Sequence, residues 1–366
     1  MKNSIGTDHR LCVAPMMEWT DRHCRVFLRC LTQRTLLYTE MVHCGAVVHG
    51  DAERHLGHDA IEHPLALQLG GSIPDELAAA ARVAESFGYD EINLNVGCPS
   101  ERVSAGRFGA CLMAEPELVR DCVGAMIEAV SVPITVKSRI GIDDRDSYEE
   151  LAGFVATVAQ SGCKTFIIHA RKALLSGLSP KQNREIPPLE HDRVMRLKSD
   201  FPDLEIILNG GVQSIGEALS HLDHVNGVMI GRAAYQDPWL LRDADRCIFG
   251  GGSGPSSRHA VVNSMLPYID SKCRAGVPLA RITRHMLGLF NGVPGARSWR
   301  RYLSEQGSRV DAGVETVLAA AELVADPAVS GHAEVRSADP APTLQGDAMG
   351  TVITKHMSTG PVAGKS

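Results

Sequence analysis

Cys98 is the residue whose setting most directly suggests chemistry. It follows the apolar stretch 91–96, which has the composition of a buried strand, and it lies in a Gly-Cys-Pro turn. A strand that ends in such a turn brings a thiol to the rim of a sheet, where the thiol can meet a ligand. A second cysteine, Cys111, follows in the glycine-rich segment 106–113, and its apolar neighbours favour a packing role.

Other polar residues stand near the ends of comparable apolar stretches. They are Gln68, Asn93, Asn95, Lys137, Arg139, His169 and Arg171. If the stretches are parallel strands, their carboxyl ends meet at one edge, so we expect these side chains to share a site with Cys98. Taken singly, Lys137 could instead pair with a buried carboxylate or form a Schiff base. His169 could be a core histidine bonded to a backbone carbonyl.

The elements that would position these residues are eight short apolar runs that alternate with amphipathic stretches. The predicted strands are Leu11–Met16, Leu36–Glu40, Leu65–Gly70, Glu91–Val96, Ile134–Gly141, Thr165–Ala170, Glu205–Gly211 and Gly227–Arg232. Runs that are apolar throughout are typical of parallel strands covered on both faces. The predicted helices between them are Pro74–Phe87, Pro116–Val130, Ser147–Ser161, His191–Asp200 and Ser214–Leu222. The helical pattern is weakest between the second and third strands.

This alternation predicts an α/β fold, a (β/α)8 barrel of the TIM type. A doubly wound sheet is the alternative. That fold usually has Gly-x-Gly-x-x-Gly after its first strand, where this chain has Ala14-Pro15-Met16-Met17-Glu18-Trp19.

The carboxyl-terminal part of the chain has a different composition. The predicted barrel, 1–248, is followed by a Gly/Ser-rich linker at 249–257 and by a region at 258–325 that is helical in pattern. The helices expected there are Val261–Ala275, Leu279–Phe290, Ala296–Glu305 and Val314–Val324, which would form a small bundle. The tail at 326–366 is rich in Ala, Pro, Gly, Ser and Thr and is predicted to be disordered.

Charge is distributed unevenly along the chain. The net charge is −6, but residues 271–304 contain seven Lys and Arg and no Asp or Glu, so this segment carries +7 and the remainder −13. A basic face on an acidic protein indicates a polyanionic partner, with a solvated helix face as the alternative.

Several classes of protein are disfavoured by composition. No apolar run reaches the roughly 18–20 residues that span a bilayer, and residues 1–10 lack the apolar core of a signal peptide. The ten cysteines are scattered without a C-x-x-C pair, which argues against a disulfide framework and a zinc site. We therefore expect a soluble, cytoplasmic protein, monomeric, without a metal and without membrane contact.

Glycine-rich turns follow the seventh and eighth predicted strands. These turns are Asn209-Gly210-Gly211 and Gly231-Arg232. They occupy the usual phosphate site of a (β/α)8 barrel, because bare backbone N–H groups can close on an anion there. The pair of turns predicts a ligand that carries a phosphate.

The remaining candidates suit a flat ring with a polar edge. The turn Ala14-Pro15-Met16 is apolar, and Gln68 can both donate to and accept from an amide-like ring edge. Lys137 can stabilise negative charge on a reduced ring, and His169 can contact the ring or the phosphate. One phosphate, an amphipathic edge and an anionic reduced state together predict flavin mononucleotide (FMN).

The same motifs closely resemble those of the tRNA-dihydrouridine synthases. They are Ala14-Pro15-Met16, Leu65–Gly70, Asn93–Ser100, Val136-Lys137 with Arg139, His169-Ala170-Arg171, Asn209-Gly210-Gly211 and Gly231-Arg232. The resemblance covers roughly residues 10–305, and the Gly-Cys-Pro motif with its surroundings is very specific. Further segments are similar to the bacterial A-type members: Trp19–Arg25, Ala170–Ala173, Gly177–Lys181, Asn183–Leu189 and Gly295–Arg301. Ser138 departs from the A-type pattern, which has histidine there, without affecting any assigned role.

The resemblance implies a flavoprotein oxidoreductase that reduces uridine to 5,6-dihydrouridine in the D-loop of tRNA. NADPH would reduce the flavin, and A-type members act at positions 20 and 20a. Hydride would reach C6 of the uracil, and Cys98 would protonate C5, because a neutral thiol can donate a proton at physiological pH. The target base must be flipped out to enter a pocket, where Asn95 would bond to it.

The resemblance also implies residues that hold the tRNA through its phosphates. The candidates are Lys181, Arg184, Arg297 and Arg300, with ordinary surface charge as the alternative.

Two other functions fit parts of the sequence. A flavin barrel oxidoreductase acting on a free pyrimidine, like a dihydroorotate dehydrogenase, would use the flavin and Cys98 but leave the basic helical region unused. A non-catalytic protein that binds tRNA would use the helical region but leave Cys98, Lys137 and the phosphate turns unused.

Overall fold

Eight parallel strands, hydrogen-bonded in chain order, close into one barrel. They are β1 (Leu11–Val13), β2 (Leu36–His43), β3 (Leu65–Gly70), β4 (Glu91–Val96), β5 (Ile134–Arg139), β6 (Thr165–His169), β7 (Glu205–Asn209) and β8 (Gly227–Ile230). The computed structural model describes residues 7–100, 103 and 106–325. Pairing of β1 with both β2 and β8 confirms the predicted (β/α)8 barrel and excludes the doubly wound sheet.

Helices connect the strands and continue beyond the barrel. Up to β8 the described ranges contain α1 (Arg22–Arg29), α2 (Cys44–His49), α3 (Ala52–Leu56), α4 (Pro74–Phe87), α5 (Pro116–Ala129), α6 (Tyr148–Ala159), α7 (His191–Asp200) and α8 (Ile215–Leu222). After β8 they contain α9 (Arg232–Gln236), α10 (Ala244–Cys247), α11 (Arg258–Arg274), α12 (Leu279–Thr283), α13 (Ala296–Gln306) and α14 (Val314–Glu322). Short 3-10 helices lie at Ala60–Glu62, Gly109–Ala114, Gln182–Arg184 and Pro238–Asp243.

Several predicted boundaries were wrong: β1 ends at Val13 and not at Met16, β2 continues to His43, β5 ends at Arg139, and β8 ends at Ile230. Two further differences concern β7 and α12. β7 ends at Asn209 because Gly210 and Gly211 have φ angles of 108° and 82°, which a strand does not allow. The helix predicted at Leu279–Phe290 ends at Thr283. A turn follows in which the backbone of Gly288 lies so close to Gln236 that a Cβ there would be 2.5 Å from the Gln236 carbonyl oxygen.

Side chains alternate between the two faces of each strand, so every second residue points into the barrel. The middle of the interior is apolar and contains Cys12, Ala14, Leu36, Tyr38, Ala66, Ile167, Ile207 and Met229. At the carboxyl ends, the strand register sets Asn95 beside Lys137 and aligns Arg139, His169 and Asn209 across three strands. Polar residues that are far apart in sequence therefore share one rim.

The opposite, amino-terminal end of the barrel holds a buried charged cluster that the sequence analysis did not predict. His9 donates from Nε2 to Glu91 Oε2 at 2.5 Å and from Nδ1 to Glu205 Oε1 at 3.0 Å. Burial alone would lower the pKa of His9, but the two carboxylates outweigh it and raise the pKa to about 10. His9 is therefore a buried cation that balances Glu91.

The helices after β8 contact the loop that follows β1. Asp21, the N-cap of α1, accepts hydrogen bonds from Arg284 Nη2 and pairs with His285 Nε2, each at 3.0 Å. The Trp19 ring stacks on Tyr235 with a centroid separation of 4.4 Å. None of the helices in the described residues combines the length and apolarity that a membrane crossing needs. The tail predicted to be disordered, 326–366, lies outside the described residues.

Raising the pH should weaken the fold through His9. Its folded pKa of about 10 lies above the ordinary value of 6.5, so its stabilisation is complete below pH 6.5 and is lost as the pH rises toward 10. His9→Gln should be less stable by roughly 3–5 kcal/mol at pH 6.5, because it leaves Glu91 without its cation. Thermal unfolding should show a shallower decline of Tm with pH in this variant than in the wild type. Parallel pH profiles would contradict the assignment.

Candidate active site

A cleft of about 1290 Å³ opens at the carboxyl ends of the strands. Each strand contributes its last residues or the residue directly after it. The predicted residues that line the cleft are Ala14, Pro15, Met16, Gln68, Asn95, Cys98, Lys137, His169, Arg184, Asn209, Gly210, Gly211, Gly231 and Arg232. Lys181, Arg297 and Arg300 are exposed and lie outside this lining. Asn93, which was expected to share the site with Cys98, is buried and also lies outside it.

The turn that carries Cys98 is held by two neighbouring side chains. Asn95 Oδ1 accepts from the backbone N–H groups of Gly97 and Cys98, both at 3.0 Å. Arg139 Nε donates to the Gly97 carbonyl oxygen at 3.1 Å. The half-buried Cys98 Sγ lies 3.7 Å from Ser100 Oγ, at the wall of the cleft. The thiol is thus fixed at the rim, as the Gly-Cys-Pro turn predicts.

Cys111 has a different environment. It lies in the 3-10 helix Gly109–Ala114, outside the cleft lining, and its Sγ donates to the Phe108 carbonyl oxygen at 3.2 Å. Burial raises the pKa of the Cys111 thiol. The neighbouring Ala110 N–H donates to the Cys98 carbonyl oxygen at 2.9 Å, so the segment that contains Cys111 stabilises the Cys98 turn.

Lys137 lies in the cleft with an amide as its partner. Its Nζ donates to Asn209 Oδ1 at 2.9 Å, and Asn209 Nδ2 donates in turn to the Met229 carbonyl oxygen at 2.7 Å. Within the described ranges no carboxylate pairs with Lys137, so the alternative of a lysine–carboxylate pair is not found there. Burial, and then the positive charge of Arg139, lower the pKa of Lys137 to about 7.

His169 is a neutral histidine, and one of its ring nitrogens is buried without a hydrogen-bond partner among the described residues. Burial, and then the charges of Arg139 and Lys137, hold the pKa of His169 well below its ordinary value. Its Nδ1 is buried and has no hydrogen-bond partner among the described residues, so the predicted alternative of a bond to a backbone carbonyl is not found there. An unpaired buried polar atom costs free energy, and a bound ligand at this position would satisfy it.

Three arginines give the β6–β8 side of the cleft a positive charge. Arg232 Nη1 pairs with Glu185 Oε1 at 2.9 Å, and Arg232 Nη2 donates to the Arg184 carbonyl oxygen at 3.3 Å. Burial, and then Arg232, lower the pKa of both Arg171 and Arg184. Arg184 Nε is buried and has no partner in the described part of the chain. Glu185 cannot balance three guanidinium groups, so this wall favours an anion.

The turn after β7 has a backbone conformation that favours glycine. Gly210 and Gly211 both have positive φ angles, which side chains disfavour. A Cβ at Gly211 would come within 2.4 Å of Leu189 Cδ1, and one at Gly210 would lie 3.3 Å from the His169 ring. Because these two residues have no side chain, their backbone N–H groups can approach an anion closely, and beside the three arginines they are suited to a phosphate.

The sequence analysis placed Arg139 and Arg171 at the site without assigning them a role, and both line the cleft. It missed another part of the site. Another wall of the cleft contains Arg22 and Arg25 from α1 and Arg54 and His55 from α3. Only the segment Trp19–Arg25, quoted for its resemblance to A-type members, pointed to that wall.

The fold and the cleft define a (β/α)8-barrel protein in which a thiol, a lysine with a lowered pKa and a glycine turn line one cleft. Residues 12–326 match the family described as dihydrouridine synthase (Dus). The chain therefore belongs to the dihydrouridine synthase family, as the resemblance of its motifs predicted. Because this is a family of enzymes, the alternative of a non-catalytic tRNA-binding protein is disfavoured.

Curated relatives are similar over most of their length. A tRNA-dihydrouridine(20/20a) synthase of Escherichia coli K12 is 57% identical over 326 residues, which cover 89% of this chain and 94% of the relative. The protein with the same description from Shewanella oneidensis is 56% identical over 328 residues, with 88% and 98% covered. The one from Vibrio parahaemolyticus is 59% identical over 309 residues, with 84% and 94% covered.

The low pKa of Lys137 can be tested by its reactivity. Cyanate modifies amines only in their unprotonated form, so carbamylation of Lys137 in the ligand-free protein should reach half its maximal rate near pH 7. Peptide mass spectrometry would follow the reaction. Arg139→Gln should move the midpoint upward, because it removes a nearby positive charge. A wild-type midpoint near the ordinary value of 10.5 would contradict the assignment.

Proposed function

We propose that the protein is an FMN-dependent tRNA-dihydrouridine synthase that uses NADPH and reduces uridines at positions 20 and 20a of the D-loop. It would act as a monomer in the cytoplasm. The observation that carries the proposal is the meeting of Cys98, Lys137 and the Gly210-Gly211 turn in one cleft. The names of the similar relatives support tRNA as the substrate and 20 and 20a as the positions.

The residues of the cleft fit FMN. The backbone of Gly210, Gly211 and Gly231-Arg232 would hold the phosphate beside the arginine wall, and the free Nδ1 of His169 supplies a further polar contact. Arg232 would act mainly through its backbone, because its guanidinium is paired with Glu185. Bound FMN, once reduced by NADPH, would supply hydride to C6 of the uracil.

The ring edge of the flavin would meet the other side of the cleft. Gln68 would bond to it, the turn Ala14-Pro15-Met16 would pack against it, and Lys137 would lie near it. Lys137 is poised to take up a proton when negative charge enters the cleft, because an anion raises a lysine pKa. This proton would stabilise an anionic reduced ring.

Cys98 and Asn95 would act on the base. Cys98 would donate its thiol proton to C5 of the uracil while hydride arrives at C6. Asn95 uses its Oδ1 for the Cys98 turn and one Nδ2 proton for Gln68, so its second Nδ2 proton is available for the flipped base.

Two parts of the chain would have different functions toward tRNA. The barrel, 1–248, would carry out the reaction, and the helical region, 258–325, joined by the linker 249–257, would hold the tRNA body. Arg297 and Arg300 are exposed on α13, and Lys181 is exposed in the loop after β6. Arg184 lies in the cleft itself, where it would contact the phosphates next to the flipped uridine.

Gly210→Asp tests the phosphate cradle. The substitution adds a carboxylate and a side chain where the phosphate would lie, so the protein should fold but lose its flavin absorbance. Gly250→Asp is the matched control, because Gly250 has a similar positive φ of 70° and a Cβ there would meet no atom within 4 Å. Full FMN content in Gly210→Asp would remove the phosphate assignment.

Arg297→Ala and Arg300→Ala test the tRNA surface. Each variant should weaken tRNA binding and lower the slope of log K against log salt by about one, because each removes one phosphate contact. Arg309→Ala is the control, since Arg309 is an exposed arginine paired with Asp311 outside the acid-free segment. Wild-type salt slopes in the first two variants would make both residues ordinary surface charge.

Cys98→Ala tests the proposed chemistry. FMN binding and flavin reduction by NADPH need no thiol and should continue, whereas dihydrouridine formation should fall by about 10² to 10⁴, the usual cost of losing a general acid. Cys111→Ala should lose far less, because Cys111 lies outside the cleft. Dihydrouridine formation at the wild-type rate by Cys98→Ala would contradict its role as the acid.

A further inference from the structure

A continuous chain of buried hydrogen bonds runs through the barrel from the charged cluster at its amino-terminal end to the Cys98 turn. Its bonds are Thr135 Oγ1 to Glu91 Oε1 (2.7 Å), Asn93 Nδ2 to Thr135 Oγ1 (2.9 Å), Gln68 Nε2 to Asn93 Oδ1 (2.8 Å), Asn95 Nδ2 to Gln68 Oε1 (2.8 Å), and the Gly97 and Cys98 N–H groups to Asn95 Oδ1 (3.0 Å each). None of these five side chains belongs to a residue that is more than 8% exposed.

Glu91 at one end and the backbone N–H groups of Gly97 and Cys98 at the other set the same direction for every bond in this chain. Burial alone would raise the pKa of Glu91, but His9 and the hydrogen bonds of Tyr38 and Thr135 hold it below its ordinary value. A carboxylate only accepts hydrogen bonds, so the single hydroxyl proton of Thr135 goes to Glu91 and its oxygen must accept from Asn93.

The direction of each hydrogen bond then determines the next one along the three amides Asn93, Gln68 and Asn95. An amide has one accepting and one donating end of nearly equal shape, so its orientation is fixed only by its neighbours. Because Asn93 donates to Thr135, its oxygen faces Gln68, and Gln68 must donate. The oxygen of Gln68 therefore faces Asn95, which leaves Asn95 Oδ1 to accept from the Cys98 turn.

We propose that Thr135 is a positioning residue for the Cys98 turn. Thr135 lies outside the cleft. Its hydroxyl joins Glu91 to the row of amides that ends at Asn95. Without this hydroxyl, Asn93 Nδ2 loses its acceptor, and the chain is anchored only at the Cys98 turn. The amides can then rotate toward other partners. Each rotation that moves Asn95 Oδ1 away leaves the N–H groups of Gly97 and Cys98 without an acceptor, so the turn opens more often. Only the catalytic consequence of this inference rests on the proposed function.

Amide hydrogen exchange in the full-length protein, without tRNA, tests the inference directly. Thr135→Val keeps the shape of the side chain and removes the hydroxyl, so exchange at Gly97 and Cys98 should become about tenfold faster. Thr135→Ser retains the hydroxyl and should exchange like the wild type. Thr165→Val is the matched control, because it removes a buried hydroxyl that donates to Glu205 at 2.8 Å, off the path to the amides.

A second readout connects the chain to the reaction. In Thr135→Val, dihydrouridine formation at saturating tRNA should fall by at least about tenfold with an unchanged KM for tRNA, and Thr135→Ser should restore it. Thr135→Ala removes the same hydroxyl and serves if Thr135→Val does not fold.

Two outcomes would overturn the inference: unchanged exchange at Gly97 and Cys98 in Thr135→Val, or equal acceleration in Thr165→Val. Faster exchange with an unaltered reaction rate would overturn its catalytic consequence. An inactive wild type would instead count against the proposed function, and the exchange result would still decide whether Thr135 holds the turn.

Discussion

Closure of eight parallel strands into a barrel is the constraint on which the rest of the structure depends. Parallel pairing points all carboxyl ends one way, closure creates an interior, and the two-residue period of a strand sends alternate side chains into it. Asn95 lies beside Lys137, and His169 lies beside Asn209, because the strand register pairs them. The cleft is thus a consequence of the register, and its loops add Cys98 and the glycine turns.

The two ends of the barrel interior differ in their charge balance. At the amino-terminal end, His9 lies between Glu91 and Glu205, so the buried charges offset one another. At the carboxyl end, Lys137 and Arg139 have no carboxylate partner among the described residues. Burial and the nearby charge of Arg139 therefore lower the pKa of Lys137 to about 7. Burying unbalanced charge is unfavourable, which is common at functional sites. The balanced end gives the barrel stability, and the unbalanced end favours an anionic ligand.

Much of the fold and the rim was predictable because the signals are local. Continuous apolar runs mark the strands, Pro74 and Pro116 mark the starts of two helices, and the polar residue at the end of a strand marks the rim. The placement of Cys98 in the cleft follows from its turn alone.

The remaining features depend on contacts between distant segments, for which the sequence has no local signal. His9 precedes β1 and meets Glu91 only after the barrel closes. Gly288 approaches Gln236 closely in the turn after α12, and the Asp21–His285 pair joins the start of α1 to this same turn. The directions of the buried amides are likewise fixed by Glu91 at one end of the hydrogen-bond chain and by the N–H groups of Gly97 and Cys98 at the other.

The central claim is that this cleft reduces a uridine of tRNA. The most direct measurement incubates the purified flavin-loaded protein with NADPH and an unmodified tRNA transcript and maps dihydrouridine by nucleotide-resolution mass spectrometry. Free uracil and uridine serve as parallel substrates. The account predicts dihydrouridine at positions 20 and 20a, dependent on NADPH, and no reduction of the free compounds. Reduction of free uracil with an unmodified tRNA, or no reduced uridine in any tRNA, would contradict it.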